Sequence, residues 1–347
     1  MDDADQGRRG LRARPGPDLF RALREHWELR VVPGGIDLGG SSSLNLLVGD
    51  GDRRYVARAH RPHVTPERLG ATQLARGALA AGGVPAAPPV PTRQGAPWAS
   101  VGGRLLEVEA WVDHDAVMDS WERLAAAMGL LARTHDLLRT VEADEAGRRP
   151  RFANHLEPAD VLARSRRGTA RIRGWGPAAK EAGLADAADQ LAERVAEAEA
   201  GLVPQLPRQL VHGDFWDDNV LFRHGRPVLL ADFDFMGERA RVDDLALPLH
   251  HAGSDVGAGP RELPARLARL VGAYDRGLEV PLSDAERAAL PPAMARQSLS
   301  SIAGWVARLD DETAARRHAA GARPEVAAAL RMLDDLGRWQ DAFARPG

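Results

Sequence analysis

The 347-residue chain contains no cysteine, which excludes disulfides, thiolate-bound zinc, iron–sulfur clusters and a cysteine nucleophile. Its apolar runs fall short of the roughly 18–20 residues that a membrane-spanning helix needs. The first 17 residues are charged and lack the apolar stretch that a signal peptide uses. We therefore expect a cytoplasmic protein that does not bind membranes.

Lysine is almost as scarce as cysteine. Of the 46 lysines and arginines only Lys180 is a lysine, so the other 45 basic residues are arginines. Any step that needs a lysine must therefore use Lys180 or be carried out by an arginine. The formal net charge is −3, so no global basic field recruits nucleic acid and no nucleic-acid partner is expected.

The residues that are present indicate a globular chain with two lobes. A hydrophobic share of 44% and a charged share of 27% are ordinary for a soluble domain. Residues 1–17 are predicted to form a flexible arm. Glycine turns and strand patterns with one helix over 66–81 predict a small β-rich lobe over 18–112. Helical periodicity, with a last helix predicted over 324–343, assigns 113–347 to a helical lobe. The predicted fold class is α+β.

Residues 210–234 carry the chemistry, and they read LVHGDFWDDNVLFRHGRPVLLADFD. Two short apolar runs flank a His-Gly-Arg-Pro turn, which predicts a β-hairpin. The two ends of this hairpin bring Asn219 near Asp232, and Asp214 lies on the loop just before it. Two carboxylates and an amide oxygen are hard ligands that suit Mg²⁺ held jointly with phosphates.

This segment resembles a known family of enzymes. The pattern His212-Gly-Asp-x-x-x-x-Asn219, followed by Asp232-Phe-Asp, resembles the catalytic and metal-binding loops of the aminoglycoside phosphotransferase and choline kinase-like family. The step from aspartate to asparagine is also that of the protein-kinase catalytic loop. The resemblance covers roughly residues 31–310. It implies a bilobal, protein-kinase-like fold and transfer of a phosphoryl group from ATP or GTP to a hydroxyl of a small molecule.

The resemblance also implies residue roles. Asp214 would orient the hydroxyl and accept its proton, while Asn219 and Asp232 would hold Mg²⁺. The helix glutamate that pairs with the strand lysine in kinases would fall at Thr72 or Gln73, so that ion pair is not reproduced. The implied nucleotide-binding residues are Ser41, Ser42 and Ser43 in a glycine-flanked loop, Arg58 in place of the strand lysine, and Val108, Glu109 and Ala110 at the hinge.

The sequence indicates the identity of the acceptor less directly than it indicates the reaction. Acids at 217–218 and between 243 and 255 are expected near Asp214, where they would attract a cation. This favours an antibiotic acceptor, aminoglycoside-like ahead of nucleoside-type, with resistance as the outcome. A metabolic kinase of homoserine, choline or sugar type and a nucleotide-binding pseudokinase are the alternatives. A monomer or homodimer is expected. The candidate acceptor-binding residues are Trp216, Asp217, Asp255 and Trp305.

Overall fold

The computed structural model describes residues 12–29, 36–40, 43–50, 52–149, 156–176, 181–255 and 262–344. A mixed α+β architecture of two lobes follows from its elements, as the sequence predicted. Among the described residues, no helix is long and apolar enough to cross a membrane.

The N-terminal lobe is built on a four-stranded antiparallel sheet in the order β1-β2-β4-β3. Its helix α2 starts where the sequence predicts, because the Thr65 hydroxyl accepts the backbone N–H of Arg68 and caps the first turn. The elements of this lobe are α1 (Pro17–Trp27), β1 (Leu44–Asp50), β2 (Arg53–Ala59), α2 (Pro66–Ala81), β3 (Ala99–Val101) and β4 (Arg104–Ala110).

Helices dominate the C-terminal lobe, with two small antiparallel sheets, β5-β7-β8 and β6-β9. Its strands are β5 (Ala116–Val117), β6 (Arg208–Val211), β7 (Val220–Arg223), β8 (Arg226–Leu230) and β9 (Gly237–Ala240). Its helices are α3 (Trp121–Leu138), α4 (Glu145–Arg148), α5 (Val161–Gly174), α6 (Ala182–Ala200), α7 (Arg241–Asp255), α8 (Leu263–Arg276), α9 (Asp284–Gln297), the π-helical turn Ser301–Val306, α10 (Glu312–Asp334) and α11 (Leu336–Ala344).

Helix α2 belongs to both lobes. It follows the N-terminal sheet in the chain, yet its buried Ala75 and Leu79 pack in the same hydrophobic core as Met128 and Leu131 of α3. Complete burial of a leucine side chain contributes about 1.5–3 kcal/mol to folding. The apolar face of α2 is thus held on the C-terminal lobe, while its polar residues Gln73 and Arg76 contact β4 of the N-terminal sheet.

The hairpin predicted in the chemistry segment is present as β7 and β8. Both turn residues have positive φ, 52° at His224 and 73° at Gly225, as a tight hairpin turn of the primed type requires. Val220 pairs with Leu230 at the open end. One residue further on, the Ala231 N–H donates to the Asn219 carbonyl at 2.8 Å, which brings the two ends together as predicted.

Candidate active site

A buried carboxylate shapes the loop that follows β6. Asp244 accepts the backbone N–H of His212 at 3.0 Å and that of Gly213 at 2.9 Å. It also contacts Nε2 of His135 at 3.0 Å. Burial would raise the pKa of Asp244, but the hydrogen bond and charge of His135 outweigh burial and lower it. A permanent carboxylate therefore holds the start of the loop.

His212 links this loop to the end of β8. Its Nδ1 accepts the backbone N–H of Asp214 at 3.2 Å, and its Nε2 lies 2.9 Å from the carbonyl of Ala231. These partners require a neutral ring with the proton on Nε2, because Nδ1 must accept and Nε2 must donate. Burial lowers the pKa of His212 in agreement with the neutral form. The residue braces two loops, and its one ring proton is used in the hydrogen bond to Ala231.

Gly213 occupies a position that no other residue fits. Its φ is +81°, and a Cβ there would lie 2.3 Å from the carbonyl oxygen of Phe235 and 2.9 Å from Nη1 of Arg239. Arg239 donates to the same carbonyl at 3.0 Å. The backbone of the loop therefore lies directly against the segment after β8, with no space between them for a side chain.

Asp214 and Asn219 form a buried pair within the loop. The Asn219 Nδ2 donates to the Asp214 carbonyl at 2.8 Å and to its carboxylate at 2.9 Å. The two residues are only 6% and 7% exposed. Because Nδ2 serves Asp214, the amide is oriented and its Oδ1 is left as an acceptor. A carboxylate held in this way can orient a hydroxyl and take its proton.

Asp232 adopts a strained backbone conformation at the end of β8. Its φ and ψ are 61° and 76°, in the left-handed region that costs a residue with a side chain about 1–3 kcal/mol and that clusters at functional sites. Its carboxylate is 34% exposed and accepts from Arg58 Nη1 at 3.2 Å. The Asp234 N–H lies 3.3 Å from the same oxygen. In this conformation the Asp232 carboxylate meets Arg58 of the N-terminal lobe.

These residues fit a hard divalent cation. Asn219 offers an amide oxygen and Asp232 a carboxylate, which are oxygen donors of the kind that Mg²⁺ takes. In the part of the chain that the structure describes, no three histidine, aspartate or glutamate side chains are grouped to hold a metal by themselves. A magnesium ion bound by a few protein oxygens, with phosphates completing its shell, matches this donor set.

Arg58 lies on β2 opposite these carboxylates. It is 11% exposed, and Nη1 also lies 3.9 Å from Asp234. Burial would lower the pKa of its guanidinium, but the charges of Asp232, Glu109 and Asp234 outweigh burial and raise it. An arginine in this place is charged at every accessible pH. Of the three loop serines, Ser43 is 3.4 Å from Asp234, whereas Ser41 and Ser42 lie outside the described residues.

With this geometry in place, the comparison with protein families is decisive. Residues 36–290 match the family described as the phosphotransferase enzyme family. The chain belongs to this family. The matched stretch covers the whole constellation just described, from Arg58 through Asp214 and Asn219 to Asp232, and it confirms the resemblance that the sequence suggested.

Related proteins place this phosphotransferase among kinases of small molecules. The homoserine kinase of Caulobacter vibrioides is 26% identical in an alignment of 306 positions, which covers 80% of this chain and 87% of that protein. The fold is similar to that of a microcompartment-associated aminopropanol kinase, with a TM-score of 0.67, 22% identity and coverage of 91% and 97%. It is also similar to amicoumacin kinase hAmiN in complex with AMP-PNP and Ca²⁺, with a TM-score of 0.65, 16% identity and coverage of 88% and 91%.

In the phosphotransferase an ion pair joins α2 to β4, and it differs from the kinase pair both in the strand used, since Arg58 lies on β2, and in the helix providing the cation. Arg76 of α2 donates to Glu107 of β4 at 2.7 Å and also pairs with Glu109. Gln73 Nε2 donates to Glu107 at 2.8 Å. Burial opposes ionisation of Glu107, but Arg76 and His60 lower its pKa. The helix thus supplies the cation and the strand the carboxylates, so Arg58 is left to pair with Asp232.

A second arginine of α2 holds the segment between β8 and β9, residues 231–236, which contains Asp232 and is called the metal loop below. Arg68 Nη2 donates to the carbonyls of Asp234 at 3.0 Å and Met236 at 2.6 Å, and Nη1 donates to Ala146 and Gly147 at 3.1 and 2.9 Å. Sequence reasoning sought an acid near Thr72 and missed both arginines. Each lies four residues from Thr72, which places all three on one face of the helix, but this spacing does not show which groups the arginines contact.

The predicted hinge residues lie at the end of β4. The carbonyl of Val108 accepts the N–H of Val90 at 2.7 Å, and the N–H of Trp111 donates to Arg54 at 3.0 Å. The Glu109 side chain is engaged with Arg76. Several groups at this strand end are thus already used within the lobe, and contact of residues 108–110 with an adenine ring stays a prediction.

The predicted acceptor residues fall in two places. Trp216 lies within the loop between β6 and β7 (residues 212–219, the catalytic loop). Its ring centroid lies 6.2 Å from that of His251 on α7. Asp217 begins the turn that ends at Asn219. Asp255 is the last residue of α7. Trp305, in contrast, lies on the π-helical turn, stacked on His318 of α10 at 5.5 Å.

Two of the acids expected to attract a cation have internal roles. Asp243 is buried and accepts from Arg296, and Asp244 is buried under the catalytic loop. The expectation that they face an acceptor is wrong, because both charges are compensated inside the C-terminal lobe. Asp217 and Asp218, half-buried and exposed on the turn after Trp216, keep this role as a prediction.

Proposed function

We propose that this phosphotransferase transfers the γ-phosphoryl group of ATP or GTP to a hydroxyl of a small molecule. The supporting observation is the convergence of Asp214, Asn219 and Asp232 on two loops tied together by the Ala231–Asn219 and His212–Ala231 hydrogen bonds. Phosphoryl transfer depends mainly on positioning and charge neutralisation, and this arrangement supplies both.

Each residue then has a role of its own. Asp214 orients the acceptor hydroxyl and takes its proton as the hydroxyl oxygen bonds to the γ-phosphorus. The bond between the γ-phosphorus and the β–γ bridging oxygen breaks in the same step, and ADP or GDP leaves. Asn219 and Asp232 hold Mg²⁺, which when bound would neutralise the charge on the nucleotide phosphates. The Arg58 guanidinium binds the same phosphates in place of a lysine. It offers paired N–H donors in one plane, where a lysine would offer a compact point charge.

For the acceptor, we propose a cationic antibiotic of aminoglycoside type, ahead of a nucleoside-type one, with resistance as the consequence. The support is electrostatic: Asp217 and Asp218 lie three and four residues beyond Asp214 on the same loop, and acids near a cleft concentrate cations there. Phosphorylation would add about −1.5 to −2 charges to a surface that the drug's target meets as a hydroxyl.

A metabolic amino alcohol is the second candidate. It is favoured by the homoserine kinase relative, which aligns with 80% of this chain, and by the likeness of the fold to an aminopropanol kinase. Both of those names denote molecules with an amine and a hydroxyl, so the acids at 217 and 218 would attract the ammonium group of either, although the carboxylate of homoserine opposes this attraction. A nucleotide-binding pseudokinase is the remaining alternative, and Mg²⁺-dependent turnover of ATP separates it from both.

The acceptor is found by incubating the protein with Mg·ATP and a panel comprising homoserine, 1-amino-2-propanol, choline, an aminoglycoside and a nucleoside antibiotic. The readout is a mass increase of one phosphoryl group on one compound. Expression in a sensitive host should raise tolerance if the compound is a drug. If only homoserine or another metabolite is phosphorylated, the resistance proposal fails while the kinase proposal stands.

The role of the loop acids has its own test with a matched control. Asp217→Asn should raise KM for a cationic acceptor with little change in kcat, because only attraction to the acceptor is lost. Asp52→Asn, at an exposed aspartate in the turn between β1 and β2, should leave KM unchanged. The difference should shrink as salt is raised, since exposed charges are screened. Equal KM values for the two variants would remove Asp217 from acceptor binding.

A further inference from the structure

A cavity of about 270 Å³ lies behind the metal loop, between the end of β2 and the first half of α2. Of the metal-loop residues only Asp234 lines it, and Asp214, Asn219 and Asp232 do not. The cavity is therefore distinct from the site of phosphoryl transfer. Its lining residues that carry charge or can titrate are His60, Arg61, His63, Arg68, Arg149 and Asp234.

The lining carries surplus positive charge. Three arginines face one carboxylate, and that carboxylate is already matched, because Asp234 accepts from Arg61 at 2.9 Å and lies 3.9 Å from Arg58. Burial and the neighbouring charges of Arg239 and Arg61 lower the pKa of Arg68 to about 10, against the opposing effect of Asp234. The described lining of the cavity therefore carries more positive than negative charge.

Two buried nitrogen atoms of the described lining residues, Arg61 Nε and His60 Nδ1, have no hydrogen-bond partner. Arg61 is 8% exposed, its Nη2 is bound to Asp234, and its guanidinium lies over the Phe235 ring at 5.5 Å. Its Nε is buried and has no hydrogen-bond partner. An arginine keeps all five of its N–H protons, so the Arg61 guanidinium, which lines the cavity, carries an N–H donor that the described protein groups leave unsatisfied. Buried donors of this kind are rare and ordinarily have a partner.

We propose that this cavity binds a small anion of the phosphate class at Arg61, with Arg149 at the rim as its second contact. Guanidinium groups bind phosphate oxygens through short, charge-assisted hydrogen bonds. Arg149 is 80% exposed at the side chain and pairs loosely with Glu145 at 3.3 Å, so it can turn toward an anion at little cost. The anion would supply both the missing acceptor and the missing charge.

The test is a calorimetric titration of the full chain with inorganic phosphate, at constant ionic strength set with chloride, with and without saturating Mg·AMP-PNP. We expect saturable phosphate binding that survives in the presence of the nucleotide. Displacement of phosphate by the nucleotide would overturn the proposal, because the ion would then be occupying the nucleotide's own phosphate site. Absence of saturable binding would overturn it as well.

Two variants locate the site. Arg149→Glu should weaken phosphate binding at least fivefold, and Arg61→Met should abolish it. The control is Arg139→Glu, at another exposed arginine paired with a glutamate, Glu279, at 3.1 Å, which should stay within twofold of the wild type. Should Arg61→Met fail to fold, the comparison of the two surface variants still decides. Equal phosphate affinity in Arg149→Glu and Arg139→Glu would refute the assignment.

Discussion

Replacement of Gly213 by alanine tests how closely the catalytic and metal loops are fitted. Two penalties add up at this position. An alanine at φ +81° costs about 1–2 kcal/mol for the left-handed backbone. Its Cβ would also lie 2.3 Å from the Phe235 carbonyl, and overpacking of this kind costs about 1–3 kcal/mol. We expect Gly213→Ala to lower the free energy of unfolding by about 2–5 kcal/mol.

The hairpin turn offers a matched control. Gly225 has φ +73°, and a Cβ there would meet nothing within 4 Å. Gly225→Ala should therefore lose only the backbone contribution of about 1–2 kcal/mol. Urea unfolding followed by fluorescence measures both variants, and the midpoint should fall further for Gly213→Ala by about 0.3–1 M, taking a slope of about 3 kcal/mol per M.

The same pair of variants separates stability from positioning. To admit a Cβ, the Phe235 carbonyl must move away from the catalytic loop, and the metal loop must move with it. A displacement of about 1 Å in a catalytic arrangement can cost about 100-fold in rate. We expect kcat to fall at least tenfold in Gly213→Ala and to stay unchanged in Gly225→Ala. Equal midpoints and equal kcat values for the two variants would refute the close fit of the loops.

Three further predictions concern charged and titrating groups. Arg58→Ala should raise KM for the nucleotide and lower kcat. Arg58→Lys should restore part of both, because lysine brings back the positive charge but not the paired N–H donors of the guanidinium. Unchanged nucleotide kinetics in the alanine variant would remove Arg58 from phosphate binding. Asp232→Ala should abolish the difference between the thermal stabilisation by ATP with Mg²⁺ and with EDTA, which the wild type is expected to show; a difference that persists would place the metal elsewhere. Burial and the charge of His251 lower the pKa of His250 to about 4, below the ordinary value of about 6.5. The unfolded chain therefore binds the proton more readily than the folded chain. As the pH is lowered from 6.5 to 4, the free energy of unfolding should fall by up to about 3 kcal/mol. His250→Gln should flatten that part of the profile of unfolding free energy against pH, and an unchanged slope would contradict the assignment.

The local features of the site could be predicted because they depend on residues close together in the chain. The hairpin turn at 224–225, the N-cap at Thr65 and the approach of Asn219 to Asp232 all follow from neighbouring residues and their spacing. The family comparison confirms the resemblance on which the catalytic roles were assigned. The roles of Asp214, Asn219 and Asp232 themselves stay predictions.

Long-range contacts could not be predicted. Arg68 and Arg76 are arginines on a helix, and nothing near them in the chain shows that one meets carbonyls about 166 residues away while the other meets a buried glutamate. Asp243 was misplaced for the same reason, since its partner Arg296 lies 53 residues further on. A charged residue's sequence neighbours do not indicate whether its charge is compensated in the fold.

The last predicted helix shows how a local rule can be overridden. Proline favours the first turn of a helix because it lacks an N–H, so the sequence predicted a helix starting at Pro324, which is wrong. The helix α10 begins instead at Glu312, where the Asp311 side chain accepts the N–H groups of Thr313 and Ala314. It continues through Pro324, with Ala319, Ala322 and Val326 buried along one face. Packing of that face outweighs the loss of one hydrogen bond.

The most direct measurement for the proposed reaction is phosphoryl transfer by Asp214→Asn beside its binding of Mg·ATP. The amide keeps the shape and the hydrogen bond from Asn219 but cannot accept a proton at neutral pH. With the acceptor found in the panel, mass spectrometry should show transfer slowed by about 100-fold or more, while calorimetry shows a Kd for Mg·AMP-PNP within about threefold of the wild type. Transfer at the wild-type rate in this variant would contradict the assignment of Asp214 as the base and the mechanism built on it.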